Sequence, residues 1–413
     1  MIDIGQRITD TNGVRYEVEE SLGEGGQGKA FAIRNERTGQ RETAKVMHPA
    51  FETPETAARL HALVTLNLSN RSPAVAGPTA LLDAAHGLGV VMPFAEGEPL
   101  ETLFEHPTYS LLEALGIGTA IARVLAVLEN IGFSHGDLSA NNIMIAKRGP
   151  IYEIALFDFD NAVIAGAPPP PLTGQEFYFA PELFGAQSVP TLSTDRYALG
   201  VLMHELLLGR HPYAAAFGTQ VSHRRFLAAM QKAEWPEDPR LGGMAGAGVI
   251  PVSVLPRTVH DLFRRALSVN APSRPRAMQW VEALRDALAR TYVCTCGEQF
   301  VNEATRFTCP HGCGAGAPTY ELRVGRKVVP LVALSTTFGR ADLGGVPMVS
   351  RQHAVFRRVG FGLRVECLSS NGLAVKGDAG WVVLSRGESH DLAHNDTVRF
   401  VPGEEATVQM VGP

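Results

Sequence analysis

Gly23-Glu24-Gly25-Gly26-Gln27-Gly28 packs four glycines into six residues, and a backbone without Cβ atoms can bring its N–H groups against phosphate oxygens. About seventeen residues on, Lys45 stands in the apolar run Thr43-Ala44-Lys45-Val46. An ammonium there is costly unless it meets an anion or reaches solvent at a strand edge. His135-Gly136-Asp137-Leu138-Ser139-Ala140-Asn141-Asn142 then supplies a carboxylate and, five positions later, an amide. Phe157-Asp158-Phe159-Asp160 adds a second carboxylate after the β-like run Ile151–Leu156. Hard oxygen ligands arriving from successive loops suit Mg²⁺, which binds together with phosphate groups. The glycine run alone also fits a tight hairpin or a dinucleotide turn. The order of the groups that follow it is what points to a metal–phosphate site.

Groups so far apart in sequence need a scaffold that brings them together. Apolar alternation in residues 15–18 and 30–33 predicts strands, whereas Leu111, Leu112, Leu115, Ile121, Val124, Leu125 and Leu128 fall on one helical face. Tyr197, Val201, Leu202 and Leu206 form another such face. A strand-rich small lobe followed by a helical large lobe is the expected arrangement. From about residue 319 the runs 320–324, 363–367 and 381–384, separated by Gly, Asn and Asp turns, predict a β-sandwich.

A length of 413 residues exceeds one ordinary core and calls for two or three domains. With 45% hydrophobic and 19% charged residues the chain excludes wholesale disorder. A net charge of -5 gives no indication of nucleic acid or an anionic membrane as main partner. The N-terminus lacks a basic start followed by an apolar core, and no run of 18 or more apolar residues occurs. A cytoplasmic protein that binds neither nucleic acid nor membrane is the expectation. Five cysteines are too few for a disulfide scaffold, and four of them, Cys294, Cys296, Cys309 and Cys313, are clustered.

Taken in order, the glycine loop, the strand lysine, H-x-D-x-x-x-x-N, D-F-x, Ala180-Pro181-Glu182, Asp195-Arg196-Tyr197-Ala198-Leu199-Gly200 and Pro272-Ser273-Arg274-Pro275 resemble a eukaryotic-type Ser/Thr protein kinase domain. The resemblance implies an α+β bilobal fold over residues 1–290, with a small lobe to about 95 and a large lobe from about 96. It implies that Gly23, Gly25, Gly26 and Gly28 cover the nucleotide and that Lys45 holds the α/β-phosphates. Asp137 would orient or deprotonate the substrate hydroxyl, and Asn142 and Asp158 would bind Mg²⁺, with Mn²⁺ as an alternative. Met92 stands at the gatekeeper position, so the backbones of Pro93 and Ala95 would receive the adenine edge. Glu182 and Arg274 would form a structural ion pair, and Asp195 would brace the catalytic loop.

Four departures bear on activity. Gly136 replaces an arginine, Ser139 a lysine, Gln175 a threonine, and Asp160 the glycine of D-F-G. Residues 57–66 hold no glutamate to pair with Lys45, which leaves Glu55 or Glu52. Thr53-Pro54 reads as a helix N-cap and first position, so Glu55 equally well complements the helix dipole. Thr173 is the candidate autophosphorylation site beside the 168–171 proline run.

Residues 291–317 resemble a zinc ribbon, with Cys294, Cys296, Cys309 and Cys313 as ligands to one structural Zn²⁺ and His311 as a substitute for Cys313. Residues 318–413 resemble a forkhead-associated (FHA) sandwich, through Gly339-Arg340, Ser350-Arg351-Gln352-His353 and Ser370-Asn371-Gly372. That resemblance implies phosphothreonine binding by Arg340, Ser350, Arg351, Ser370 and Asn371, with Gly339 and His353 shaping the loops. A phosphate needs a guanidinium and short donors converging from separate loops.

The order of modules is similar to kinases encoded with a PP2C-type phosphatase and a von Willebrand A protein in bacterial tellurium-resistance-associated (TerY-type) phosphorylation systems. Two functions fit. One is an ATP- and Mg²⁺-dependent protein serine/threonine kinase whose FHA module recruits phosphothreonine partners. The other is a nucleotide-binding pseudokinase scaffold.

Overall fold

Strands that alternate buried and exposed residues build the first layer of the protein, as in the exposed–buried alternation that opens Arg15–Glu24. The computed structural model describes residues 2–411 apart from 106–107, 150, 165, 168–173, 186–187, 215–222, 242–249 and 332. Thr173 and the proline run therefore lie outside the described residues. The chain forms two units, Met1–Val252 with Arg257–Leu288, and Ala289–Pro413 with Ser253–Pro256.

The first unit opens with β1 (Arg7–Thr9), β2 (Arg15–Glu24), β3 (Gly28–Asn35), β4 (Arg41–Met47), α1 (Pro54–Leu66), β5 (Ala80–Leu81) and β6 (Gly89–Pro93). Its strands form an antiparallel sheet in the order β1-β2-β3-β4-β6-β5. Ile8, Val18, Ile33, Ala44 and Val91 are buried together on it. Helix α1 starts where Thr53 Oγ1 accepts from the Thr56 N–H at 3.2 Å, with Pro54 in the first turn.

Helices dominate the rest of this unit. After β7 (Glu98–Pro99) and α2 (Leu100–Glu105) comes α3 (Leu111–Asn130), started by a capping box between Ser110 and Glu113. By length and composition α3 could cross a membrane, but 61% of its apolar window is buried within the protein. Leu112, expected on the buried face, is 38% exposed. Next, β8 (Ile143–Arg148) and β9 (Ile151–Leu156) join β7 in a small sheet. Then follow α4 (Leu192–Leu208), α5 (His223–Lys232), α6 (Arg257–Ala266) and α7 (Ala277–Ala289). Tyr197, Val201, Leu202 and Leu206 on α4 are buried, as their spacing predicts.

The second unit begins with the hairpin of β10 (Thr291–Val293) and β11 (Gln299–Val301). Ten strands follow: β12 (Thr319–Val324), β13 (Lys327–Pro330), β14 (Ser335–Phe338), β15 (Ala354–Val359), β16 (Gly362–Cys367), β17 (Leu373–Gly377), β18 (Gly380–Leu384), β19 (Ser389–Leu392), β20 (Thr397–Val401) and β21 (Glu404–Val411). They form a six-stranded sheet, β13-β12-β21-β20-β17-β18, and a four-stranded sheet, β14-β15-β16-β19. Leu322, Phe338, Phe356, Val365, Val375 and Phe400 share the core of this sandwich. The cysteine segment is fastened to it. Asn302 donates from Nδ2 to the Val359 carbonyl and accepts from the Phe361 N–H at 2.8 Å, and the rings of Phe300 and Phe361 meet at 4.9 Å.

Candidate functional site

Between the small-lobe sheet and the β8–β9 hairpin lies a cavity of about 450 Å³. Gly23, Gly25 and Gly28 contribute to its wall, as do Met92, Pro93 and Ala95, while Gly26 lies outside the lining. Leu22, Ala30, Val90 and Met144 make much of the surface apolar, and Lys45, Asp158 and Asp160 bring charge to it. An apolar slot with a few convergent polar groups suits a planar ring joined to a polyanion.

The loop that carries Asp137 is fixed from below. Asp195, at the start of α4, accepts from the N–H groups of His135 at 2.7 Å and Gly136 at 3.0 Å. The His135 ring reaches the Phe157 carbonyl at 3.0 Å through Nε2, which leaves Nδ1 to accept from the Asp137 N–H at 3.4 Å. Asn142 donates from Nδ2 to the Asp137 carbonyl at 2.7 Å, so its amide oxygen is the atom left to ligate a cation. The Asn142 carbonyl in turn accepts from the Phe157 N–H, which ties the Asp137 loop to the Asp158 loop.

Gly136 acquires a positive reason beyond the loss of an arginine. Its φ is +78°, and a Cβ there would lie 2.1 Å from the Asn161 carbonyl oxygen. The space goes to Asn161, which donates from Nδ2 to Asp137 Oδ2 at 3.2 Å and accepts from Gln27 at 3.2 Å. A side chain at the tip of the glycine-rich loop is thus linked through Asn161 to Asp137. Gly174 passes nearly as close: a Cβ would lie 2.4 Å from Asp137 Oδ1. Asn161 lay outside the motifs read from sequence, and Gln27 stood in the glycine loop without a role of its own.

Lys45 meets two carboxylates, Asp158 Oδ1 at 2.8 Å and Asp160 Oδ2 at 2.6 Å. Burial opposes the lysine's charge, but Asp160 and Asp158 outweigh it and hold its pKa above the ordinary value. Asp158 adopts φ 60°, the left-handed region, which Asp tolerates better than most non-glycine residues. No bond joins Lys45 to Glu55 or Glu52 among the described residues. Glu55 occupies the first turn of α1, and Glu52 accepts from the Leu88 N–H at 3.4 Å. The dipole role of Glu55 is the one its position supports, and the pairing with Lys45 is corrected to Asp158 and Asp160. Farther from the cleft, Arg274 meets both oxygens of Glu182, at 2.6 and 2.8 Å, as the resemblance implied.

In the second unit the four thiols lie within 4.8 Å of one another, with Cys294–Cys313 at 3.7 Å and Cys296–Cys309 at 4.0 Å. Four sulfurs about 2.3 Å from a tetrahedral zinc would be separated by about 3.8 Å, so the donor set fits that ion. His311 turns away: its Nε2 lies 3.0 Å from the Gln299 carbonyl oxygen.

The residues expected to read phosphate come from two loops, the β14–β15 connection with Arg340, Ser350 and Arg351 and the β16–β17 connection with Ser370 and Asn371. Arg340 donates from Nε to the Val349 carbonyl and from Nη2 to the Pro347 carbonyl. Ser350 accepts the Arg340 N–H on its carbonyl, and Asn371 donates from Nδ2 to the Met348 carbonyl at 2.8 Å. Arg351, Ser370 and Asn371 are exposed. Buried His353 holds the loops through the Gly372 carbonyl and the Ser350 N–H. The hydroxyl that meets Ser350 Oγ, at 2.8 Å, is that of buried Ser369. Ser370 next to it was the serine singled out in the sequence. Strand parity could have separated the two, because Cys367 and Ser369 are both buried whereas Ser370 is exposed.

Comparison with known proteins agrees with this geometry. Residues 16–284 match the protein kinase domain, and residues 322–401 match the FHA domain. Serine/threonine-protein kinase PknA of Mycobacterium tuberculosis is 28% identical over 220 residues, covering 50% of each chain. Serine/threonine-protein kinase PkaA of Streptomyces coelicolor is 27% identical over 292 residues, 66% of this chain and 50% of the relative. Myosin light chain kinase A of Dictyostelium discoideum is 26% identical over 263 residues, 63% of this chain and 87% of the relative. The chain spans about half the length of the bacterial relatives it matches. With a kinase match across most of its length and a nucleotide-sized cleft carrying the motif residues, the chain belongs to the protein kinase family, and it carries an FHA domain behind the kinase domain.

Proposed function

We propose that this protein transfers the γ-phosphoryl group of ATP to serine or threonine hydroxyls of protein substrates in bacterial phosphosignalling. The observation that carries this reading is the meeting of Lys45 and Asp158 on one cavity wall beneath the glycine loop, with Asp137 and Asn142 bonded into the adjoining loop. Lys45 positions the phosphates; Pro93 offers its carbonyl and Ala95 its N–H to the adenine edge. Asp137 orients the substrate hydroxyl and accepts its proton as the new O–P bond forms and the β–γ bridging bond breaks. Mg²⁺ or Mn²⁺, when held by Asn142 and Asp158, supplies charge neutralisation at the phosphates.

The remaining assignments follow the same reading. The kinase domain comprises residues 1–290, the zinc ribbon 291–317 and the FHA domain 318–413. One structural Zn²⁺ sits among Cys294, Cys296, Cys309 and Cys313. Arg340, Ser350, Arg351, Ser370 and Asn371 bind phosphothreonine of partner proteins, with phosphorylated Thr173 of another copy as one such ligand. A PP2C-type phosphatase and a von Willebrand A protein are the partners suggested by module order, and the cytoplasm is the compartment.

The test is transfer of radiolabelled γ-phosphate by the purified chain beside Asp158→Asn. Phosphoprotein is expected from the wild type and about a thousandfold less from the variant. No transfer to itself or to candidate partners, despite measurable binding of ATP with Mg²⁺, would replace the enzyme by the scaffold.

A further inference from the structure

The motif pattern makes Asp160 an intruder and leaves α1 without its glutamate. The structure relates the two departures. Asp160 is the nearer partner of Lys45, at 2.6 Å, and its side chain is only 11% exposed, against 35% for Asp158. Helix α1 contributes Arg59 instead of a carboxylate, 7% exposed, with its Nε buried and without a hydrogen-bond partner. A cation there would repel Lys45 if nothing lay between them. Asp160 accepts directly from Lys45 and also attracts Arg59, although no hydrogen bond or ion pair joins Arg59 to it among the described residues.

We propose that Asp160, delivered by the loop after β9, is the carboxylate that positions Lys45 for the phosphates, and that Arg59 of α1 is the counter-cation that keeps Asp160 in place. The proposal rests on the kinase reading above. Asp158 is the more exposed of the two carboxylates and is also the one assigned to the cation. Lys45 holds Oδ1 of Asp158, so a cation on the same carboxylate would compete with the lysine for its charge. Asp160 relieves that conflict, because the lysine keeps a partner when Asp158 is engaged. Arg59 also links the position of α1 to that of Lys45, a link made elsewhere in the family by a helix-borne glutamate. Asp160 and Arg59 act through the lysine and are positioning residues.

The experiment is a double-mutant cycle on the full chain, with Asp160→Asn, Arg59→Met and the pair, and with Arg59→Lys as the charge-preserving control. Calorimetric affinity for ATP with Mg²⁺, kcat for phosphoryl transfer and the thermal unfolding midpoint are all measured. Asp160→Asn is expected to weaken nucleotide binding about tenfold and to lower kcat about a further tenfold. Arg59→Met is expected to do the same to a smaller degree, and Arg59→Lys to stay within about threefold of wild type. In the double variant kcat should match Asp160→Asn alone, because Arg59 works only through Asp160, while the unfolding midpoint recovers as the uncompensated charge disappears. A merely structural pair would recover both together. Wild-type binding and kcat in Asp160→Asn would overturn the proposal, and so would losses that multiply in the double variant. If the wild type transfers nothing but Asp160→Asn still weakens nucleotide binding, the kinase reading fails and the placement of Lys45 stands.

Discussion

Arg274 in the large lobe and Arg59 beside the cleft are both buried arginines, yet they are treated in opposite ways. Arg274 makes five hydrogen bonds, two to Glu182, two to the Ser268 carbonyl and one to the Ser193 carbonyl, which matches the five N–H donors of a guanidinium. Its side chain is fully buried and packs over the Tyr197 ring at 5.1 Å. Arg59 has a buried donor with nothing to bond and an acid, Asp160, that it shares with Lys45. Saturated charge is a fastening, since no partner remains to be exchanged. Unsaturated charge beside a cavity is a capacity to respond when an anion or a cation arrives.

Removing the fastening should therefore cost more stability than any change at the cleft. Arg274→Met is expected to lower the unfolding free energy by about 3–5 kcal/mol, because two carbonyls and Glu182 lose their donor together. Thermal or denaturant unfolding reads this directly. A loss below about 1 kcal/mol would mean that a fully bonded arginine is no more structural than an exposed one, and the contrast would collapse.

A third arginine stands between these extremes. Arg340 spends Nε and Nη2 on the Val349 and Pro347 carbonyls, which orient the fork but leave it short of the five bonds of Arg274. By the same logic it should matter to ligand more than to fold. Arg340→Ala is expected to weaken binding of a phosphothreonine peptide by about ten- to a hundredfold, the range of a hydrogen bond to a charged group. The unfolding midpoint should move little. Equal affinity of the wild type for the unphosphorylated peptide would remove the phosphate from the explanation.

Much of the kinase cleft was legible because its residues form short local motifs: Asp137 and Asn142 are five apart, and one stretch of chain carries both. The FHA loops were legible for the same reason. What escaped were relations across the chain. Lys45 and Asp160 are 115 positions apart and Gln27 and Asn161 are 134 apart, and no spacing rule links them. Reading each departure singly made Gly136 a lost arginine and Asp160 a lost glycine. In three dimensions Gly136 is required by the Asn161 carbonyl, and Asp160 occupies Lys45. The helix register of α3 was legible except at Leu112, in its first turn, which is exposed.

The remaining expected effect concerns a buried acid near the Asp137 loop and is read only as a pH dependence. Tyr178 donates to Glu205 Oε2 at 2.6 Å, and burial pushes the Glu205 carboxyl from its ordinary 4.5 up to about 7, with Glu101 adding to the rise and the Tyr178 hydroxyl opposing it. An acid whose folded pKa is raised keeps its proton in the folded state after the unfolded chain has released it. Stability from this group is thus fully present below pH 4.5 and is lost as pH rises towards about 7. Glu205→Gln keeps an oxygen for the Tyr178 hydroxyl and removes the titration. The thermal midpoint of the wild type should fall relative to the variant across that window and run parallel to it outside. Arg274→Met should leave this pH dependence unchanged, because a saturated arginine has no proton to exchange in that range. Identical slopes for wild type and Glu205→Gln would show that the acid is relieved by water, and would move Glu205 from the buried, uncompensated class to the solvated one.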